Sequence, residues 1–239
     1  MASFSSFLDT LPVPVTGNKI GDAGQVDNSG GGIGFASVKF SSEQPVSISR
    51  SNSGRVISRA ILSHKYRISV TYNPMTREQF EPIYSFLLEK RGRLKPFFII
   101  LPQYENSRGI TSTNTVTVSG AHAAGKSQVK TVASASSPVL KPGHLITFSD
   151  AGNSNHKKAY QITRTMTSSD YYTGGDTPAS NQQIYYISPP LEKAITASTT
   201  TINYNNPKVR VISTSDVIEY SLGTNNLYSF TLNLEEAQP

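Results

Sequence analysis

His64-Lys-Tyr-Arg-Ile-Ser-Val-Thr-Tyr72, followed at once by Asn73-Pro-Met-Thr-Arg77, decides the fold. Tyr66, Ile68, Val70 and Tyr72 alternate with charged or small residues, the period-two pattern of a half-buried strand. Asn73-Pro74 breaks that strand, and Thr76 is placed to cap a helix whose first turn carries Glu78. Between Arg77 and Lys90, Phe80, Ile83, Tyr84 and Leu87 fall at helical spacing. Lys90 and Arg91 suit the negative end of the helix dipole, and Gly92 stands just past it. Pro96-Phe-Phe-Ile-Ile-Leu-Pro102 is an apolar run bracketed by prolines, long enough for a buried strand and too short for a typical helix. The stretch predicts a twisted sheet with one helix packed on it.

Working outward, the chain has 239 residues, enough to bury about 70–75% of its unfolded surface in one large or two modest domains. Charged residues make up only 16%, while Ser, Thr, Asn and Gly are abundant, which favours β-structure with many turns. With no Cys, disulfides, thiolate metal sites and a Cys nucleophile are excluded. Stability must come from packing or oligomerisation. No run approaches the length of a membrane-spanning helix. Phe4, Phe7, Leu8 and Leu11 are interrupted by polar residues, so a signal peptide is not expected. The net charge is +6. Its basic residues cluster as Arg50, Arg55, Arg59, Lys65 and Arg67, then as Lys90, Arg91, Arg93 and Lys95, either solvated edges or contacts with an acidic partner.

Residues 1–34, with Pro12, Pro14 and the Gly-rich run near Gly30–Gly34, read as an extended arm. An alternative is a short amphipathic segment, Phe4 to Leu11, that docks on a neighbour. Residues 35–104 hold the strand, helix and strand described above. Composition then shifts, and 105–206 shows short β-prone runs: Thr115–Val118, Val129–Val132, Leu145–Phe148, Lys158–Thr163, Ile184–Ile187 and Thr199–Tyr204. Six short strands separated by turns indicate a small barrel or sandwich. From Val209 the alternating style returns, with Tyr228, Phe230, Leu232 and Leu234 on one face. The economical architecture is one discontinuous domain, 35–104 plus 207–239, carrying a β-domain inserted at 105–206.

Gly120-Ala-His-Ala-Ala-Gly-Lys-Ser127 fits the phosphate-binding pattern G-x-x-x-x-G-K-S. In that role Gly120 and Gly125 would shape the loop, Lys126 would reach the β- and γ-phosphates, and Ser127 would ligate magnesium. The pattern needs a helix after the loop. Gln128-Val-Lys-Thr-Val-Ala-Ser is poor helix material, and the turn reads better as a hairpin. His144, Asp150 and His156 could meet as a metal site on adjacent strands, but scattered loop histidines are commoner and no metal or cofactor is expected. Tyr171-Tyr172 reads as an exposed aromatic loop or as a cap on the insert's own core. Tyr185-Tyr186 reads as one ring in and one out, and Glu235-Glu236 as a solvated end. No catalytic constellation emerges.

Several of these segments resemble one family. Ser49-Arg-Ser-Asn-Ser-Gly-Arg55, Tyr66 to Tyr72, Met75-Thr-Arg-Glu-Gln-Phe80, Phe86-Leu-Leu-Glu-Lys-Arg-Gly92 and Phe97-Phe-Ile-Ile-Leu-Pro102 resemble the distal tail, or baseplate hub-ring, proteins of long-tailed bacteriophages. The match covers residues 45–103, with a weaker one at Val209–Asp216 and Tyr228–Glu235. The resemblance implies a mainly β fold with one helix, a tail-tube-like sandwich or barrel domain carrying an inserted small β-barrel. It further implies a structural, non-enzymatic virion component assembled in the host cytoplasm as a homohexameric ring. Such a ring joins the tail tube to the hub and other baseplate proteins, and DNA passes through its lumen without being read. Two other classes stand beside it: a nucleotide-binding protein built on Gly120–Ser127, and a carbohydrate-binding adhesion module in the insert.

Overall fold

A computed structural model describes residues 9–11, 35–61, 63–104, 110, 114–133, 137–170, 177–196 and 199–237. Among these the chain is mainly β, with a single α-helix, α1 (Arg77–Lys90), and it divides into two compact units. One holds Met1–Ile99 and Val211–Ala237, the other Ile100–Arg210.

The first unit is built on a five-stranded sheet in the order β1 (Phe35–Glu43), β4 (Lys65–Tyr72), β15 (Thr231–Glu236), β12 (Lys208–Ser213), β5 (Phe97–Ile100). β4 pairs antiparallel with β1, setting Phe40 opposite Ile68, and with β15, setting Leu232 opposite Val70 and Leu234 opposite Ile68. A one-residue slip would turn every side chain over, so the apolar pattern fixes this register. Tyr66, Ile68, Val70, Tyr72, Leu232 and Leu234 are all buried on one face. Onto the unit's apolar interior α1 brings Phe80, Ile83, Phe86 and Leu87, also buried. The Phe86 ring stands edge-on to Phe97 at 5.4 Å, and Phe80 meets Phe230 at 6.2 Å. Each such side chain contributes roughly 1.5–3 kcal/mol by leaving water.

Both helix ends follow from local chemistry. The Gln79 side-chain oxygen accepts from the Thr76 amide at 2.9 Å and from the Thr76 hydroxyl at 3.0 Å, satisfying a donor the first turn would otherwise orphan. At the other end Arg91 and Gly92 turn the chain with φ of 54° and 61°. Gly92 is also pressed against Asp216, whose Cα would lie 2.9 Å from any Cβ at position 92.

Two expectations change here. Leu11 was read as part of an arm or of a segment docking on a neighbour; instead Asp9–Leu11 runs along the outer strand of this chain's own sheet. Thr10 and Phe98 form a parallel bridge, the Leu11 amide donates to the Phe98 carbonyl at 2.8 Å, and Thr10 and Leu11 are buried. Three extended residues thus cover part of an edge whose backbone groups would otherwise be unpaired. The remainder of the arm, 1–8 and 12–34, lies outside the described residues. The solvated reading of Glu235-Glu236 holds for one residue only. Glu235 pairs with Lys65 at 3.0 Å, whereas Glu236 is buried and accepts from the Tyr66 amide at 3.2 Å. Strand alternation forces this: whichever face Glu235 takes, Glu236 takes the other.

The second unit is a six-stranded sheet in the order β6 (Val116–Thr117), β11 (Thr201–Asn203), β8 (Leu145–Ser149), β9 (Ala159–Met166), β10 (Gln182–Ser188), β7 (Gln128–Val132). Its first and last strands meet again, because Val118 bridges Thr131 and the Ser119 amide donates to the Lys130 carbonyl at 2.8 Å. The sheet closes as a small barrel around Val118, Val129, Ile146, Tyr160, Tyr185 and Ile202. Each of the six strands overlaps one of the six β-prone runs. Tyr185 is enclosed, and burial pushes its phenol up to about 12, while the half-buried Tyr186 lies under the Arg164 guanidinium at 3.9 Å. The units divide at 99/100, inside β5, and at 210/211, inside β12, a few residues from the 104/105 and 206/207 suggested by the composition shift.

Candidate functional site

The loop that fits the phosphate-binding pattern does different work. Gly120 and Gly125 both have left-handed φ, 76° and 81°. The strand β7 begins at Gln128, directly after Ser127, so no helix N-terminus faces the loop. Two of its amides are taken up: His122 donates to the Ile195 carbonyl at 2.8 Å and Gly125 to the Leu191 carbonyl at 2.7 Å. The helix that the alternative nucleotide-binding reading of Gly120, Gly125, Lys126 and Ser127 requires is replaced by a strand. These residues form a hairpin loop stitched to the segment 191–195, and β-branched Val129, Thr131 and Val132 are the physical reason that a strand follows.

Histidines fasten the barrel. The Lys130 amide donates to His122 Nε2 at 2.9 Å, which leaves Nδ1 to face the Gly120 carbonyl at 3.2 Å. His156 Nδ1 lies 3.3 Å from Asp150 Oδ2, and its Nε2 lies 2.8 Å from the Tyr160 hydroxyl. That hydroxyl accepts from the Glu192 amide at 3.0 Å, while Asp150 Oδ1 also accepts from the Thr200 hydroxyl at 3.0 Å and the Gly152 amide at 2.9 Å. His144, weighed as a partner of Asp150 and His156 in a metal site, faces the Lys141 carbonyl at 2.8 Å. Among the described residues no group of three His, Cys, Asp or Glu could hold a metal. Tyr171 and Tyr172 lie outside the described residues.

The two bonded histidines give the barrel a pH response. Burial is the main influence holding His156 below its ordinary value, with Asp150 pulling the other way. Burial also lowers His122, and the Lys130 charge adds to it. The unfolded chain then binds protons that the folded barrel refuses, so stability rises with pH. This contribution is complete above about pH 6.5, the unfolded histidine value, and declines as pH falls below it. Denaturant midpoints at neutral and mildly acidic pH should show the decline, and His122→Gln with His156→Gln should flatten it. An unaltered slope in the double variant would contradict the assignment.

Two surfaces of the first unit stand out. The face of its sheet opposite the core is polar throughout three strands: Ser37, Lys39, Ser41 and Glu43 on β1, Lys65, Arg67, Ser69 and Thr71 on β4, Thr231, Asn233 and Glu235 on β15. Four of its five charges pair, Arg67 with Glu43 at 2.7 Å and Lys65 with Glu235 at 3.0 Å, leaving Lys39. Short hydroxyl and amide groups fill the middle, with Ser69 donating to Asn233 at 2.7 Å. The other surface is a separate hairpin, β2 (Val46–Arg50) and β3 (Val56–Ala60), turning at Gly54 with φ 81°. Val46, Ile48, Val56 and Ile57 are exposed on it, together with Arg50, Arg55 and Arg59. The basic cluster Arg50, Arg55 and Arg59 was legible in the sequence, but the hairpin was not. The missed signal was Ser51-Asn-Ser-Gly54, a turn cluster between two alternating runs.

A search against protein-family models found no match to the chain. A search of curated proteins found none either.

Proposed function

We propose that this chain is a structural, non-enzymatic subunit of a ring at the distal end of a bacteriophage tail tube, with the polar sheet face of its first unit turned to the lumen. The carrying observation is that face. Antiparallel strands packed against one core commonly turn a polar face to water, and here three neighbouring strands carry no apolar side chain on that face. Two of its three cations are paired within the face, so it presents a lone Lys39 and no long basic stripe that would hold a phosphate backbone. A wall of this kind lets a polyanion slide past without reading it. The family resemblance over residues 45–103 supports the same reading.

The test is a reconstruction of virions carrying this protein. Density at the junction of tube and baseplate, six-fold, with Ser69 and Thr71 lining the channel, is the expected result. Finding the protein only in the capsid, or absent from virions, would overturn the proposal.

A further inference from the structure

We infer that the β2–β3 hairpin of one copy is seated on the segment Ser215–Leu222 of a second copy, a head-to-tail contact that carries the ring. The inference rests on the ring reading above and names its interface. Both surfaces belong to the first unit. The hairpin exposes Ile48 by 66%, Val56 by 55% and Ile57 by 58%. Between Val46 and Ala60 it carries Arg50, Arg55 and Arg59 and no acidic residue. The second segment exposes Val217 by 64%, Tyr220 by 48% and Leu222 by 52%. Between Ser215 and Leu222 it carries Asp216 and Glu219 and no Lys or Arg.

Each is an apolar centre, and the charges within the two segments are opposite, arginines on the hairpin against Asp216 and Glu219, with Arg93 beside Asp216 at 3.9 Å. That is the composition of two halves of one interface, with aliphatic and aromatic anchors inside and complementary charge steering the encounter. Both are exposed within one chain, so neither already covers the other. The receiving side is firm: Tyr220 stands edge-on to Tyr84 at 5.4 Å and lies 4.9 Å from Phe80 on α1. Asp216 reaches toward Arg93 at 3.9 Å yet keeps 74% of its side chain in water, open to a second cation. Pairing hairpin with hairpin would set arginine against arginine. Two unlike surfaces make a heterologous contact, which repeats from copy to copy until a ring closes.

Because the sequence has no cysteine, introduced ones report cleanly. Ile48→Cys and Val217→Cys proteins, mixed and treated with a short bismaleimide, should give cross-linked dimers, while Ile48→Cys alone should not. Self-linking of Ile48→Cys would overturn the inference. In sedimentation, Arg50→Glu with Arg55→Glu and Arg59→Glu should weaken self-association by at least about tenfold, as should Asp216→Arg with Glu219→Arg, and mixing the two variants should restore it. All five positions are exposed, and unchanged denaturation midpoints would confirm that the variants stay folded. Association that ignores both charge reversals sinks this interface and leaves the ring reading standing. A wild-type chain that stays monomeric at every concentration, with virions lacking it, sinks both.

Discussion

Gly92→Ala is expected to destabilise the first unit by about 2–4 kcal/mol, a large fraction of a domain's net stability. Two costs combine. A left-handed residue with a Cβ costs roughly 1–2 kcal/mol, and Gly92 has φ 61°. The added methyl would also lie 2.9 Å from the Asp216 Cα, a backbone atom that moves only if the segment after β12 moves with it. Gly54→Ala is the control. It has φ 81°, but no atom lies within 4 Å of its would-be Cβ, so only the conformational cost of about 1 kcal/mol remains. Chemical denaturation followed by tyrosine fluorescence measures both, since the chain has twelve Tyr and no Trp. Equal losses at the two glycines would show that the approach to Asp216 carries no weight. The same close approach makes Gly92→Ala a probe of the interface proposed above, because Asp216 lies in it.

Asp150→Ala should cost the barrel about 2–5 kcal/mol, since each buried donor left without its acceptor costs roughly 1–3 kcal/mol. The Asp150 and His156 side chains are wholly buried, and one carboxylate serves His156, Thr200 and the Gly152 amide. Truncation strands the buried His156 and Thr200 donors away from water, whereas the amide of exposed Gly152 can turn to solvent. Asp150→Asn should lose less, about 1–2 kcal/mol, because its carbonyl can still accept from Thr200 and Gly152 while only the His156 side is mismatched. Hydrogen exchange at the β9 amides separates this loss from any change in the first unit. A carboxamide as damaging as the truncation would mean that charge, rather than bonding capacity, holds the network.

Much of the first unit was legible in the sequence because its elements are local. The buried stripe of β4 at Tyr66, Ile68, Val70 and Tyr72 and the limits of α1 at Arg77 and Lys90 follow from period, capping residues and the Arg91-Gly92 stop. The six short strands of the barrel were legible for the same reason, each a β-prone run between turns. Glu236 and Leu11 were not. An acidic pair at a strand's end and an apolar residue in a Pro-flanked arm carry no local sign of the partners that bury them, Tyr66 and Phe98.

The sequence by itself determined periodicity: which faces are apolar, where the helix starts and stops, and that Gln128 opens a strand and not a helix. Only the tertiary structure decided which segments share a sheet and which groups lose water. It set Val70 opposite Leu232, closed the barrel through Val118 and Thr131, and gathered Asp150, His156 and Tyr160 into one network. It also left the β2–β3 hairpin and Ser215–Leu222 uncovered. Period and capping are encoded within a few neighbouring residues. Pairing across the chain and exposure depend on the whole fold, because burial is a property of what surrounds a side chain and not of the side chain itself.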